Sequence, residues 1–330
     1  MVEMQTREVL IVGGGLAGLS AAIYLGRALR NTLLIDSGKS MARWEPDVQN
    51  YLGFPEGIDG EELLHRGRRQ AERYQVDLVS DEITEASRDT GGTFTLRGRQ
   101  GAYFGKRLLL ATGIFHIPPQ LAGVDECLGH SLFFCKDCDG YRVQGKRVAI
   151  YGANNEAVEY ALGMLVFSPT VVIVTNQHAI RWDTAHAGWL TEYEIPVYTN
   201  PITEVKFHGH QIDGLVLEGG DCVEVEVLFT TRGDVYYNQL ARGLGAEVGP
   251  EGDIQVDQDQ RTTVPGLYAP GCITPANCQL IIAAGQGATA AQAINRDLFE
   301  ESLASHSLRR LRERQLQTEA TVPPVEAAVH

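Results

Sequence analysis

Twice in this chain a short apolar strand runs into a glycine turn, then a helix, then a second strand. The first copy spans Glu8 to Asp36: strand Val9 to Val12, the turn, a helix rich in alanine and leucine, and strand Thr32 to Asp36. The second spans Lys146 to Thr175, with strand Arg147 to Tyr151, a turn at Gly152, a helix, and strand Thr170 to Thr175. A strand pair joined by a crossover helix is the building unit of nucleotide-type α/β folds, so two copies imply two such domains. The length agrees, since 330 residues exceed one ordinary core and suit two of about 100 to 200 residues each.

The first turn reads Gly13-x-Gly15-x-x-Gly18. Gly13 permits the tight turn, Gly15 lets backbone approach a pyrophosphate, and Gly18 lets helix and strand pack closely, while the helix start offers N–H groups and positive dipole. Asp36 ends the next strand, where a carboxylate can accept from ribose hydroxyls. Strand, turn, helix and acidic strand end together make a dinucleotide site, in a Rossmann-like domain. Strand-like stretches at Gly92 to Arg97 and Arg107 to Ala111 extend it. After the second copy come strands at Val197 to Lys206, Ile212 to Leu217 and Val223 to Phe229, a Pro265-Gly266 turn, and a long Ala/Gly-rich helix from about Gln279. We read the fold as α/β with the second domain inserted in the first: residues 1–116 and 247–300 bind the first dinucleotide, 117–246 form the insert, and 301–330 a polar tail. Thr321 to His330 has little to bury and is expected to follow a frayed helix as a disordered stretch, with a flap over the cofactor as the alternative.

The formal net charge of −14 disfavours nucleic acid and anionic lipid as partners. Two local basic clusters stand against it: Arg66, Arg68, Arg69 and Arg73, then Arg309, Arg310, Arg312 and Arg314. They read first as solvated helix faces and second as docks for an acidic protein. The run Val9 to Leu25 contains several glycines and reads as strand, turn and helix rather than a membrane span. The opening Met-Val-Glu-Met-Gln-Thr-Arg lacks the order of a signal peptide, and six unevenly spaced cysteines do not make a secreted disulfide framework. A cytoplasmic setting is the expectation.

Cys135-Lys-Asp-Cys138 carries the chemistry. Thiols separated by two residues close a disulfide with little backbone movement, and a helix start lowers a thiol pKa. Zinc would need two further ligands, and His130 and Cys127 supply no matched pair, so no metal is expected. Two buried structural cysteines remain the alternative.

Several segments together resemble the thioredoxin reductase family. Glu45 to Gly60, which includes Asn50, is similar to the segment lining that family's flavin. Ala111-Thr112-Gly113 resembles the end of its FAD domain, and Thr263 to Cys272 with Gln279 and Ala283 to Gly287 resembles its second FAD fingerprint. Cys-x-x-Cys-Asp139-Gly140 resembles its active site. The resemblance covers about residues 8 to 300 in order. It implies FAD held by Gly13, Gly15, Gly18, Asp36, Asn50, Thr112, Gly113, Gly271, Cys272 and Gln279; Cys138 beside the flavin; Cys135 attacking a thioredoxin-like disulfide; Asp139 moving the proton; and a homodimer.

Departures from the family are as informative. Lys136 replaces a small residue and can favour a thiolate. Cys272 replaces a carboxylate that holds the flavin's ribityl chain, so the flavin is held differently. Cys272 and Cys278 are read as small buried hydrophobes, with a second redox pair as the alternative; Cys127 and Cys222 are read as structural. The second turn, Gly152-Ala-Asn154-Asn-Glu-Ala157, carries a side chain where a pyrophosphate must approach, and Thr175 to Arg181 keeps one arginine of the family's His-Arg-Arg run. NADPH use is therefore doubtful. The chain resembles the family's pyridine-nucleotide-independent branch, which implies a ferredoxin donor, with a second FAD in the altered site or an ordinary NADPH-dependent thioredoxin reductase as the rival readings, and a flavin-binding relic or interaction protein as the non-enzyme one.

Overall fold

The computed structural model describes residues 6–321 and puts the first glycine turn beside the middle of a seven-stranded sheet. Its strands are β1 (Arg7–Val12), β2 (Thr32–Asp36), β3 (Asp77–Ser80), β4 (Ile83–Arg88), β5 (Phe94–Gly98) and β6 (Ala102–Leu110), in the order β3-β2-β1-β6-β5-β4, with β17 (Leu267–Tyr268) added beside β6. β1 lies parallel to both β2 and β6, so their C-terminal ends open on one edge. Val9, Leu10 and Ile11 are fully buried, because a central parallel strand is covered on both faces and cannot alternate with polar residues. Helices α1 (Leu16–Arg27), α2 (Gly60–Arg73) and α7 (Leu280–Ala304) cover one face through Leu19, Leu25, Leu64 and Ile294. The other face packs Leu240 and Ala241 of α6 (Gln239–Gly243) against Phe94 and Leu96.

A second sheet, all parallel, has the order β11-β10-β9-β15-β8. Its strands are β8 (Leu132–Phe133), β9 (Val148–Tyr151), β10 (Val171–Val174), β11 (Val197–Tyr198) and β15 (Val227–Thr230). On one side lie α4 (Asn155–Met164) and α5 (Thr184–Glu192), joined through Ala157, Val158 and Leu190. On the other lies an antiparallel trio, β12 (Ile202–His208), β13 (Gln211–Leu217) and β14 (Cys222–Val223), seated by Val205, Ile212 and Leu215. The single strands expected at Val197 to Lys206 and Val223 to Phe229 are each two strands in different sheets. Pro201 stands in the first break, where the missing N–H interrupts a ladder.

The chain passes between the two sheets through an antiparallel ribbon, β7 (Ile114–His116) against β16 (Asp234–Tyr236). We propose that this ribbon, rather than a point near residue 246, marks the return crossing, because Leu240, Ala241 and Ala246 already pack against the first sheet. Beyond α7, the helix α8 (Ser307–Thr321) starts afresh; the tail expected over 322–330 lies outside the described residues. Among those described, no helix is long and apolar enough to cross a membrane.

Candidate functional site

A cleft of about 540 Å³ runs along the C-terminal edge of the first sheet and reaches the Cys135–Cys138 disulfide. Gly13, Gly15, Asp36, Asn50, Thr112, Gly113, Gly271, Cys272 and Gln279 line it. Gly18 does not; it lies beneath the turn, pressed on the Gly13 carbonyl. Gly15 caps α1 with no side-chain partner and the first turn holds no acid, which leaves the helix N–H groups free for an anion. A Cβ on Gly15 would meet nothing nearer than Ser40 Oγ at 3.4 Å, so that space admits a phosphate. An uncapped helix start over a cleft of small-molecule size fits a dinucleotide such as FAD.

Asp36 does more than the sequence suggested. Its Oδ1 accepts from Gly14 N at 3.0 Å and Gly38 N at 3.1 Å, and Arg68 Nη2 donates to its Oδ2 at 2.9 Å. The carboxylate thus holds the turn shut and has capacity left for a ribose hydroxyl. Arg68, grouped in sequence with a solvated or docking cluster, is committed to this ion pair, whereas its neighbour Arg66 pairs with Glu62 at 2.7 Å on the surface. In the later cluster Arg309 pairs with Glu313 at 3.0 Å. Thr112 Oγ1 donates to Tyr237 O at 2.7 Å, fastening the cleft to the returning chain.

Cys135 and Cys138 form a disulfide at the start of α3 (Lys136–Asp139), and Cys138 N donates to Cys135 Sγ at 3.1 Å. The helix is a single turn, so its dipole is a smaller influence on the thiols than the spacing suggested. Lys136 is engaged elsewhere: its Nζ pairs with Asp137 at 2.8 Å and faces the Tyr160 ring. The polar contact to the sulfurs comes from the first domain. Gln279 Nε2 lies 3.4 Å from Cys135 Sγ and 3.2 Å from Cys138 Sγ, and its Oε1 accepts from Asn50 Nδ2 at 3.0 Å. Asn50 and Gln279, expected as flavin contacts, therefore also form a polar bridge to the redox pair.

Behind the disulfide, Asp139 is 4% exposed and accepts from Arg142 Nη1 at 2.9 Å. Burial, reinforced by the Glu45 carboxylate and opposed by Arg142, pushes its pKa up to about 7. Burial raises Glu45 as well, against the pull of Arg142 and His116. Arg142 is held in place by Gly129 O at 3.1 Å and the Phe133 ring. Two carboxyls around one guanidinium form a site that takes up or gives a proton near neutrality. Sequence reading found Asp139 but neither partner; Glu45 stands inside the quoted flavin segment, and Arg142 is marked only by its i,i+3 spacing from Asp139.

Cys272 and Cys278 are not buried hydrophobes. They form a second disulfide, half-buried on the same cleft, with Cα atoms 4.8 Å apart. The loop between them doubles back through a turn in which Thr274 N and Oγ1 both donate to Gly271 O. Cys127 is buried in the second domain's core and Cys222 is exposed; both are free thiols.

The second glycine turn is filled by its own chain. Asn154 caps α4, its Oδ1 accepting from Ala157 N at 3.1 Å where a phosphate would stand. Arg181 N donates to Ala153 O at 2.7 Å, and Asn155 and Asp183 bond each other across the same gap. At the end of β10, Asn176 ties to Tyr151 OH at 3.0 Å and to Ile202 N at 2.7 Å. Glu156, in the first turn of α4, is raised in pKa by burial and by Asp234, Glu159 and Glu251.

A dinucleotide cleft at the strand ends of a mixed sheet, meeting a Cys-x-x-Cys disulfide carried beside a second, parallel sheet, fits a flavoprotein disulfide oxidoreductase. Residues 7–292 match the family model described as pyridine nucleotide-disulphide oxidoreductase, and the chain belongs to that family. Among curated relatives, the chain is 29% identical to alkyl hydroperoxide reductase F of Xanthomonas campestris pv. phaseoli over 86% of its own length and 56% of the relative's. It thus spans about half of that protein. It is 30% identical to the thioredoxin reductase of Treponema pallidum, covering 87% of this chain and 95% of that one. Among solved structures, HlmI superposes with a TM-score of 0.86 at 28% identity, over 93% of this chain and 97% of its own. FAD is typical of the family, and the cleft's residues fit it.

Proposed function

We propose that the chain passes electrons from FAD through Cys138 and Cys135 to a thioredoxin-like protein disulfide, and that ferredoxin rather than NADPH loads it. The observation that carries the choice of donor is the second turn, where the Asn154 side chain occupies the helix start that a pyrophosphate would need. The rival reading, a second FAD in that turn, meets the same obstacle because FAD also carries a pyrophosphate. Energetics permit a ferredoxin donor: a plant-type ferredoxin at about −400 mV and thioredoxin at about −270 mV differ by roughly 130 mV, worth about 6 kcal/mol for two electrons. The resemblance to thioredoxin reductases also supports a homodimer.

FAD, when bound, supplies the electron pair that opens the Cys135–Cys138 disulfide. Asn50 and Gln279 hold the sulfurs at the cleft while it opens, through the amide contact to both. Cys135 then attacks the partner disulfide, Cys138 attacks Cys135 in the mixed disulfide and releases the partner's second thiolate, and each departing thiolate takes a proton. Asp139, with Arg142 and Glu45 around it, is the buried group that gives that proton and takes it back.

Asp139→Asn is expected to slow disulfide reduction roughly 10²- to 10⁴-fold while flavin content stays unchanged. Because its pKa is raised to about 7, the wild-type acid is present below that pH and lost above it, so turnover falls through neutrality and the variant's profile is flat. The same sign governs stability. The protonated side chain's contribution is complete below the unfolded value of about 3.9 and is lost as pH rises through about 7. Thermal melts at pH 5 and pH 8 should differ less for the variant.

The donor is tested by anaerobic titration of the flavin-quantified protein with NADPH, NADH or reduced ferredoxin, following flavin absorbance. Bleaching by ferredoxin alone is expected. Rapid bleaching by NADPH would return the chain to the nucleotide-dependent members of its family, and two flavins per chain would favour the rival.

A further inference from the structure

We infer that Cys272–Cys278 is a second redox-active disulfide, which exchanges with Cys135–Cys138 across the shared cleft and stores one more electron pair. The inference rests on the first pair being the electron outlet, as proposed above.

All four disulfide-bonded cysteines line one cleft, while the chain's other two, Cys127 and Cys222, are free thiols elsewhere. Cys278 directly precedes Gln279, whose amide nitrogen is 3.2 Å from Cys138 Sγ and 3.4 Å from Cys135 Sγ. The second disulfide therefore sits one residue along the chain from the group that touches the first. Cys272 and Cys278 are half-buried and both line the cleft. A structural role is a poor account of this pair. The bridge spans a separation of six residues, and a short loop gains less from closure than a long one. The loop is in any case fastened at Gly271 O by both donors of Thr274.

The step balances within the protein. A thiolate of the reduced Cys135/Cys138 pair attacks one sulfur of Cys272–Cys278, a mixed disulfide forms, and the displaced thiolate takes a proton. The remaining thiol of the first pair, losing its proton, attacks its own partner's sulfur in the mixed disulfide. Cys135–Cys138 is re-formed and Cys272 and Cys278 are left as thiols. Two electrons and two protons move between the pairs; further reduction of the first pair by the bound flavin then fills both.

The test uses the holoprotein, reduced anaerobically by light and EDTA until the flavin is bleached, then acid-quenched, denatured and alkylated for peptide mass spectrometry. Expected in the wild type is alkylation at both pairs, Cys135 and Cys138 together with Cys272 and Cys278. In Cys135→Ala/Cys138→Ala under the same treatment, Cys272 and Cys278 should remain an unalkylated disulfide. Alkylation of Cys135 and Cys138 alone in the wild type overturns the inference and leaves the proposed function standing. Alkylation of Cys272 and Cys278 before reduction, or equally in the double variant, overturns it too, by removing the disulfide or the exchange route. A bleached flavin with Cys135 and Cys138 still joined overturns the outlet itself and this inference with it.

Discussion

Cys138→Ser is expected to purify with its full complement of flavin and to reduce a thioredoxin disulfide at less than about one thousandth of the wild-type rate, because no thiol remains to resolve the mixed disulfide. Flavin content is preserved because Cys138 belongs to a helical turn of the second domain, whereas the dinucleotide turn belongs to the first. Cys135→Ser should be equally inactive for a different reason, the loss of the attacking thiol. The two differ in what they trap. Only Cys138→Ser, with Cys135 intact, should accumulate a covalent adduct with a thioredoxin, which non-reducing electrophoresis resolves. Removing either cysteine also frees Gln279 Nε2 from one of its two sulfur contacts, so a modest shift of the flavin spectrum is expected in both variants.

Gly18→Ala should fold poorly around FAD and lose most of it. A Cβ at Gly18 would stand 1.9 Å from the Gly13 carbonyl oxygen, and backbone cannot swing aside as a flexible side chain can. Gly13 itself has φ 108, with a Cβ there 2.2 Å from Ala111 O, so the turn cannot yield without disturbing β6's continuation. The expected cost is about 1 to 3 kcal/mol of overpacking, read as a lower melting temperature, together with a flavin-to-protein ratio reduced about tenfold. Gly188→Ala is the control. It lies inside α5 with nothing within 4 Å of a Cβ, and alanine there should raise stability by up to about 1 kcal/mol with flavin unchanged.

The two nucleotide-type units were legible because their signals are local: a buried apolar strand, a glycine turn and a helix follow one another in the chain. Val9 to Val12, Gly13 and Leu16 onward each report their own conformation. The altered second turn was legible for the same reason, since Asn154 is both the departure from the pattern and the cap that fills the site. Sheet switching was not. Val197 to Lys206 holds Pro201 at its break, but its two apolar halves, Val197–Tyr198 and Ile202 onward, belong to different sheets, and such a pattern carries no information about which neighbour a strand pairs with. The cysteines divide in the same way. A two-residue spacing constrains Cys135 and Cys138, whereas the five residues between Cys272 and Cys278 leave their approach to the fold of the loop. Arg68 looked like one of four surface arginines until α2 laid it against Asp36; Arg142 meets Asp139 as a neighbour three residues along the same helical stretch, whereas Glu45 reaches it only because the two domains close on each other.

The central claim is that electrons leave this protein through Cys135 and Cys138. Its most direct test is a single turnover: photoreduce the flavin anaerobically, add oxidised thioredoxin, and follow flavin absorbance while counting thioredoxin thiols. The account predicts that flavin colour returns and thioredoxin dithiol appears in step, in the wild type and not in Cys138→Ser. Flavin that stays bleached in the presence of thioredoxin, or that recovers equally in the variant, would contradict it.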